Sequence, residues 1–373
     1  MSKNKSLPSF LEKLISQRTS LSILNYLKSL KRDGQKIRFL IQIIFFLLVL
    51  WIGYEFYGFV RYFQTGGKSI YFSRPPGVEG FLPISALISL KYWILTGVFN
   101  DIHPSGLVIL LIIIILGLFL KKSFCSFICP VGLISESLWP LGKKLFKKNL
   151  RLWKWLDYPL RSLKYLLLFF FIYAIIWQMD IFSLRQFIYS PYNKVADVKM
   201  LLFFTNIDAF AFWTLVILFV ISIIIKNFWC RYLCPYGALL GFLSLLSPVK
   251  VTRNEDTCTV CQKCTKVCPH LIHVHTLKRV SSDECTGCAI CIDACPEEDT
   301  LDFKVTKKSK PIPVWMFSLT VVLVFLLGTT LARLTGHWHN TISDEEYMKR
   351  IQEINKPIYE HNRGQVPDYS DED

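Results

Sequence analysis

What this sequence has little of is charge, histidine and stray cysteine. Charged residues make up 19% of the 373-residue chain, against 52% hydrophobic residues, 29 phenylalanines and a mean hydropathy of +0.36. That composition excludes an ordinary soluble pair of domains. The seven histidines, His103, His270, His273, His275, His337, His339 and His361, all fall outside the confident apolar spans, and there is no Cys-x-x-Cys-His. No haem is therefore expected, either between membrane helices or covalently attached. The twelve cysteines divide without remainder into four metal-type motifs, which leaves none for a disulfide framework and points to a reducing compartment. No small-residue cleavage site accompanies the first apolar run, near Phe39, so that run is expected to stay as a signal anchor. Acids are scarce as well, 28 against 43 Lys and Arg for a net charge of +15. The bases cluster beside apolar runs, where they read as topology signals and contacts to anionic lipid rather than to nucleic acid.

What is present is a series of apolar runs near the ~20 residues needed to cross a ~30 Å hydrocarbon core. The sequence predicts spans at 39–60, 105–122, 164–179, 209–226 and 311–333. The stretch 81–99 is barely long enough and holds Pro83, Lys91 and Gly97. It is expected to be re-entrant or interfacial, because a further crossing there would put the strongly basic 121–164 stretch outside. The expected division is a basic cytoplasmic leader 1–38 able to form an amphipathic helix, a first membrane repeat 39–135 and a basic cytoplasmic loop 136–163. A second membrane repeat 164–252, a cysteine-rich domain 253–303, a last helix 304–333 and an acidic extracytoplasmic tail 334–373 follow.

Two short stretches align residue for residue. FCSFICPVG at 124–132 and WCRYLCPYG at 229–237 each give an aromatic residue, Cys, three residues, Cys, Pro, one residue and Gly. Each ends an inward-running helix preceded by an outward one, so two helical hairpins form a parallel repeat that brings Cys125, Cys129, Cys230 and Cys234 to one depth. Three readings stand: a further cluster or thiolate-bound metal, a redox-active dithiol pair, or cysteines packed as small apolar residues.

The densest motif is CTVCQKCTKVCPHLIHVHTLKRVSSDECTGCAICIDACP at 258–296, two copies of Cys-x2-Cys-x2-Cys-x3-Cys-Pro. Structural zinc also begins with Cys-x2-Cys, but it gives no reason for a third evenly spaced cysteine, a fourth three residues later and a proline, twice over. This run resembles a bacterial two-cluster ferredoxin. The resemblance implies that Cys258, Cys261, Cys264 and Cys295 hold one [4Fe-4S] cluster and Cys268, Cys285, Cys288 and Cys291 the other. His270, His273 and His275 then belong to a solvated linker.

Tandem Cys-x3-Cys-Pro motifs followed by this insert make residues 37–303 resemble the NapH-type polyferredoxin membrane proteins, with a core similar to NosR-like and CcoG-like proteins. The apolar runs and flanking charge predict a membrane all-α helical bundle of about five spanning helices in the inner membrane, one more than the four-helix NapH pattern, with the α+β ferredoxin domain that the resemblance implies on the cytoplasmic side. The resemblance also implies the role of membrane subunit of a quinol dehydrogenase, passing electrons between the quinone pool and a partner redox protein. That partner would be a ferredoxin-like iron-sulfur protein, a c-type cytochrome or a periplasmic reductase. Maturation or regulation of a copper or other periplasmic reductase is the alternative. For a quinone site the sequence offers Glu55, Lys91 and His103, ionisable groups at or near membrane depth.

Overall fold

The computed structural model describes residues 34–147, 150, 152–361, 366–367 and 369. Nearly all of the expected leader helix lies outside them. Helix α1, Gly34–Gln64, grows from an uninterrupted Ile/Leu/Phe run without proline. At 1.5 Å per residue it is about 46 Å long, more than the ~30 Å hydrocarbon thickness. Its burial is confined to the two ends, at Arg38, Gln42 and Phe45 and again at Phe56, Phe59, Val60 and Phe63. Leu47, Leu48, Leu50 and Trp51 between them are exposed, as a lipid-facing waist requires.

After a 3-10 turn at Pro76–Phe81 come α2, Pro83–Thr96, and α3, Pro104–Phe119. A short helix α4, Ser123–Phe127, leads to α5, Pro130–Phe146, and α6, Lys154–Tyr173, which continues as a π-helical turn over Ala174–Gln178. Then follow α7, Ile181–Tyr189, α8, Pro191–Lys194, α9, Ala196–Thr205, and α10, Ala209–Ile224. A π-helical turn at Trp229–Leu233 opens into α11, Pro235–Leu246. Strand β1, Lys250–Arg253, pairs antiparallel with β2, Leu301–Lys304, in the register Val251 to Phe303. This two-stranded sheet closes off the cysteine-rich segment, which carries the short helices α12, Lys263–Val267, and α13, Ile290–Asp293. The long α14, Val314–Leu334, and α15, Asp344–Gln352, complete the described chain.

Among the described residues, three helices are long and apolar enough to cross a membrane: α1, α6 with its π turn (Trp155–Gln178), and α14. A fourth crossing is available if α9 and α10, bent by 79°, act as one broken span. Helices occupy all five expected span positions, but two are shorter than the sequence suggests. Helix α3 begins at Pro104, whose ring fixes the first turn, and its 16 residues reach about 24 Å. It is buried in protein through Leu107, Leu110, Ile113 and Leu116, and Gly328 of α14 packs against Ile112 where no Cβ would fit. The 81–99 stretch forms a 14-residue helix closed by left-handed Gly97. Much of 136–163 and 180–208, expected as connections, is helical, and the acidic tail is ordered through α15.

Two apolar cores sit at opposite ends of the bundle. One joins Phe45, Leu116 and Phe127 to the cysteine-rich domain through Val251, Phe303 and Phe317; the Phe303 and Phe317 rings stack at 4.2 Å. The other joins Phe59 and Phe63 to Ile188, Val198 and Tyr347 of the tail. At this second end lies a buried charge network. Arg74 donates to Asp197 Oδ2 at 2.7 Å and to Glu79 Oε1 at 2.9 Å, and Ser105 donates to Glu79 Oε2 at 2.5 Å. Burial alone would raise the Glu79 carboxyl, but Arg74, His103 and Ser105 pull it down to about 2.

Replacing Arg74 by Met leaves two buried carboxylates without their cation, which should cost about 3–5 kcal/mol. Faster trypsin cleavage at the tail and a lower melting temperature in detergent are the expected readouts. In the parent, the contribution of Glu79 is fully present above its ordinary value of 4.5 and is lost as pH falls towards about 2.

Candidate functional site

Each Cys-x3-Cys-Pro motif is a helical turn broken and restarted. Cys129 and Cys234 are the N-terminal caps of α5 and α11, with Pro130 and Pro235 in the first helical position. Proline suits that position because its fixed φ is already helical and its missing N–H would have had no helical partner. The Cys234 Sγ accepts from the Gly237 N–H at 3.2 Å. The glycine of each motif lets the new helix start against the turn just left. A Cβ at Gly132 would stand 2.1 Å from the Cys125 carbonyl oxygen, whereas one at Gly237 would meet the Cys230 carbonyl at 3.4 Å.

These two turns bring Cys125, Cys129, Cys230 and Cys234 to the wall of one cavity of about 120 Å³, which Lys122, Glu136 and Tyr236 also line. Two tighter spaces lie in the cysteine-rich domain. Cys268, Cys285, Cys288 and Cys291 surround one of about 20 Å³, and Cys258, Cys261, Cys264 and Cys295 surround another of about 10 Å³. Among the described residues no three His, Cys, Asp or Glu side chains are grouped so as to hold a single metal ion. Zinc would draw its thiolates to about 2.3 Å from one point; here the thiols enclose a space.

The backbone repeats as well. Val260 and Gln262 flank Cys261 with φ of 53° and 62°, and Gly287 and Ala289 flank Cys288 with φ of 66° and 59°. A β-branched residue in the left-handed region is strained. Successive right- and left-handed residues turn N–H groups into a concavity that suits an anion, and Cys258 is held below its ordinary value by the Val260 N–H and by Arg253. Burial pushes the Cys288 thiol up to about 12 and Cys291 well above its usual range. Such thiols ionise only when a strong positive charge, such as bound iron, joins them. Four thiols, an anion-suited backbone and a dry enclosure fit an iron-sulfur cluster.

The bundle grips the second of these sets. Gln35 Nε2 donates to the Cys288 carbonyl at 2.8 Å. Arg38 makes a two-pronged pair with Glu136 at 2.5 and 2.8 Å, and Lys164 meets Glu284 at 2.6 Å. Arg231 pairs with Asp157 at 2.9 Å and donates to the His270 carbonyl at 2.8 Å. Sequence reading took Arg38, Lys121, Lys122 and Lys164 as surface topology signals; all four are buried. His270 is not a solvated linker residue: it lines the wall of the Cys-x3-Cys cavity and of the second thiol space alike. The sets differ in exposure: Cys261 of the first lies at the surface, whereas Cys268 and Cys285 of the second are buried.

The quinone candidates are not brought together by any described contact. Lys91 caps the π-helical turn after α6, donating to the Ile175 and Ile176 carbonyls at 3.0 Å and also to Met179. His103 is buried against the Asn193 carbonyl at 2.6 Å, with Glu79 3.5 Å from its other nitrogen. Glu55 is half-buried on α1.

A family described as "4Fe-4S binding domain" matches residues 102–149 and 207–254, the two Cys-x3-Cys-Pro regions, and a "4Fe-4S dicluster domain" matches 250–296. The chain is 40% identical over 315 residues to the "Putative electron transport protein YccM" of Escherichia coli K12, covering 83% of this chain and 88% of that one. It belongs to the YccM family. This is an iron-sulfur electron transport protein with ferredoxin-type 4Fe-4S domains, and its three long apolar helices are those of a membrane protein. An uncharacterized protein of Methanocaldococcus jannaschii is 27% identical over 172 residues, covering 44% of this chain and 66% of its own. The methylamine utilization ferredoxin-type protein MauN of Methylorubrum extorquens is 28% identical over 211 residues, covering 52% of this chain and 64% of its own. No solved structure matches.

The two glycines give an asymmetric expectation. Gly132→Ala forces a backbone clash and should cost about 1–3 kcal/mol, with loss of iron, while Gly237→Ala should be milder. Iron content and melting temperature of the two variants, measured side by side, check this.

Proposed function

We propose that this protein is the NapH-type membrane subunit of a quinol-oxidising complex, carrying electrons from the quinone pool to a partner redox protein through three iron-sulfur groups. The carrying observation is a shared wall: Cys288, Thr286 and His270 line both the Cys-x3-Cys cavity and the second ferredoxin space. In this reading Cys125, Cys129, Cys230 and Cys234 hold one group. Cys268, Cys285, Cys288 and Cys291 hold the next, and Cys258, Cys261, Cys264 and Cys295 the last. Bound iron-sulfur groups supply one-electron transfer that side chains cannot.

The chain's own residues order, space and dry the path. Phe127, Phe317 and Val251 keep water from the middle set. Cys264 and Cys291 stand close enough to influence each other electrostatically, linking the middle and last sets. The exposed Cys261 edge is where a soluble or membrane-bound partner would exchange an electron.

Sidedness follows from charge. The ferredoxin end carries the basic 121–164 stretch and faces the cytoplasm, while α1 and α14 run in parallel to the other end, where the acidic tail lies outside. The proposal keeps the domain division read from the sequence, with most of α5 and the start of α6 falling in 136–163. Lys91 and His103 are committed to structural bonds, which leaves Glu55 as the freer of the three quinone candidates.

Iron and acid-labile sulfide on anaerobically purified protein test the inventory. About twelve irons per chain are expected, falling by about four in a Cys125→Ser, Cys230→Ser double variant. A parent count near eight would remove the first group, and zinc in place of iron would remove the reading. Anaerobic addition of a quinol analogue, followed by EPR, should reduce the clusters; no reduction with copurified partners present would count against quinol as donor.

A further inference from the structure

Lys121 and Lys122 close helix α3, at the place where a membrane protein keeps lysines to mark its inner face. Both are buried, Lys121 completely. Its Nζ has no hydrogen-bond partner, and its backbone is left-handed with a φ of 61°, a conformation lysine rarely adopts. That turn directs the chain inward. The Lys121 Cβ lies 3.6 Å from where a Cβ on Gly287 would stand, two residues beyond Cys285. Its N–H donates to Ser247 Oγ at 3.1 Å, which fixes the turn.

Burial lowers the Lys121 ammonium to about 8; among the charges that act on it, the Cys285 sulfur is the strongest favourable one, ahead of Asp283, and Lys250 and Arg279 oppose it. Lys122 goes the other way. It lines the Cys-x3-Cys cavity, acts on Cys125 and Cys234, and has the buried Glu284 as counter-charge. Lys121 has no carboxylate in hydrogen-bond contact. An ammonium sealed in protein survives only where a negative charge answers it. An iron-sulfur cluster bound by four thiolates is a net anion, more so when reduced.

We propose that Lys121 is the buried counter-charge of the group held by Cys268, Cys285, Cys288 and Cys291, a positioning residue that raises the midpoint potential of that group and makes it the preferred resting place of the electron. The proposal rests on the assignment of that thiol set as cluster ligands. It accounts at once for two anomalies, the left-handed lysine and the unpartnered ammonium. Neither is needed to end a helix, since a glycine at 121 would do so without strain.

Redox titration of the full-length protein in detergent, followed by EPR, tests it. Lys121→Met and Lys121→Gln should lower the midpoint of one ferredoxin-type signal. The ratio of reduced to oxidised form at fixed potential should fall about tenfold, which is about 59 mV for one electron. The signal that moves should be the one lost in Cys285→Ser, and the other should stay in place. Lys121→Arg should keep the parent midpoint. Ser247→Asp, which sets a carboxylate near the lysine instead of deleting it, should lower the midpoint without emptying the site of its cation.

An unchanged midpoint in the neutral variants, with iron content intact, overturns the proposal. So does retention of the signal by Lys121→Arg alone, because the lysine would then serve assembly and not potential. Absence of any such signal from the parent would instead remove the cluster assignment itself.

Discussion

A charge taken out of water has to be answered inside the protein, and this constraint shapes the thiol end of the bundle. Arg38 with Glu136, Lys164 with Glu284, and Arg231 with Asp157 are each drawn from different parts of the chain, and each joins the bundle to its neighbours around the thiol cavities. Desolvation makes such pairs weak sources of net stability, but removing one member leaves the other stranded. Lys164 with Glu284 joins the bundle to the ferredoxin domain, and the other two pairs, both within the bundle, hold Gln35 and Arg231 where they bond the domain's Cys288 and His270 carbonyls, so together they specify one docking of that domain on the helices. The two-stranded sheet and the stack of Phe303 on Phe317 add the apolar contact that charge pairs alone do not provide.

That docking decides what the cysteines can do together. A free ferredoxin domain would carry two enclosed thiol sets, and free helices would carry two broken turns. Only when Arg231 holds the His270 carbonyl and Gln35 holds the Cys288 carbonyl do the broken turns and the second set come to share a wall. The proline and glycine of Cys-x3-Cys-Pro-x-Gly serve the same geometry at shorter range. Proline restarts the helix at no hydrogen-bond cost, and glycine removes the Cβ that would push the thiol turn away.

The cysteine pattern was legible in the sequence because its information is local. Fixed spacings of two and three residues leave few ways to wind a chain around an anion, and the left-handed residues at 260, 262, 287 and 289 repeat with those spacings. Long apolar runs were equally plain. The roles of the lysines were not, because a lysine at the end of an apolar run has the same sequence signature whether it reaches water or turns into protein. What separates the two outcomes is Cys285, Glu284 and Ser247, far along the chain. The helices of 136–163 and 180–208 were hidden for a related reason. Those of 180–208 are short, and the parts of α5 and α6 that fall in 136–163 mix Lys and Arg with apolar residues, so neither region shows a continuous apolar run. His103 read as an ionisable group near the membrane surface, and only the fold places Glu79, Asp197 and Arg74 around it.

Helix α3 shows how the two ends are related. At its start, the Gly106 N–H donates to Glu79 Oε2 at 3.0 Å and Ser105 donates to the same oxygen, so a buried carboxylate answers the positive end of the helix dipole. At its other end, the chain turns left-handed at Lys121 and delivers a cation to the thiol domain. The charge network at the far end and the cation at the thiol end are thus two ends of one protein-enclosed helix of about 24 Å. Its buried side chains pack against α2, α11 and α14, with only Ile115 and Phe119 among its large apolar residues exposed, so it cannot slide without opening a cavity. Arg74 and its carboxylates, though they lie at the end without cysteines, thereby help to fix where Lys121 stands relative to Cys285.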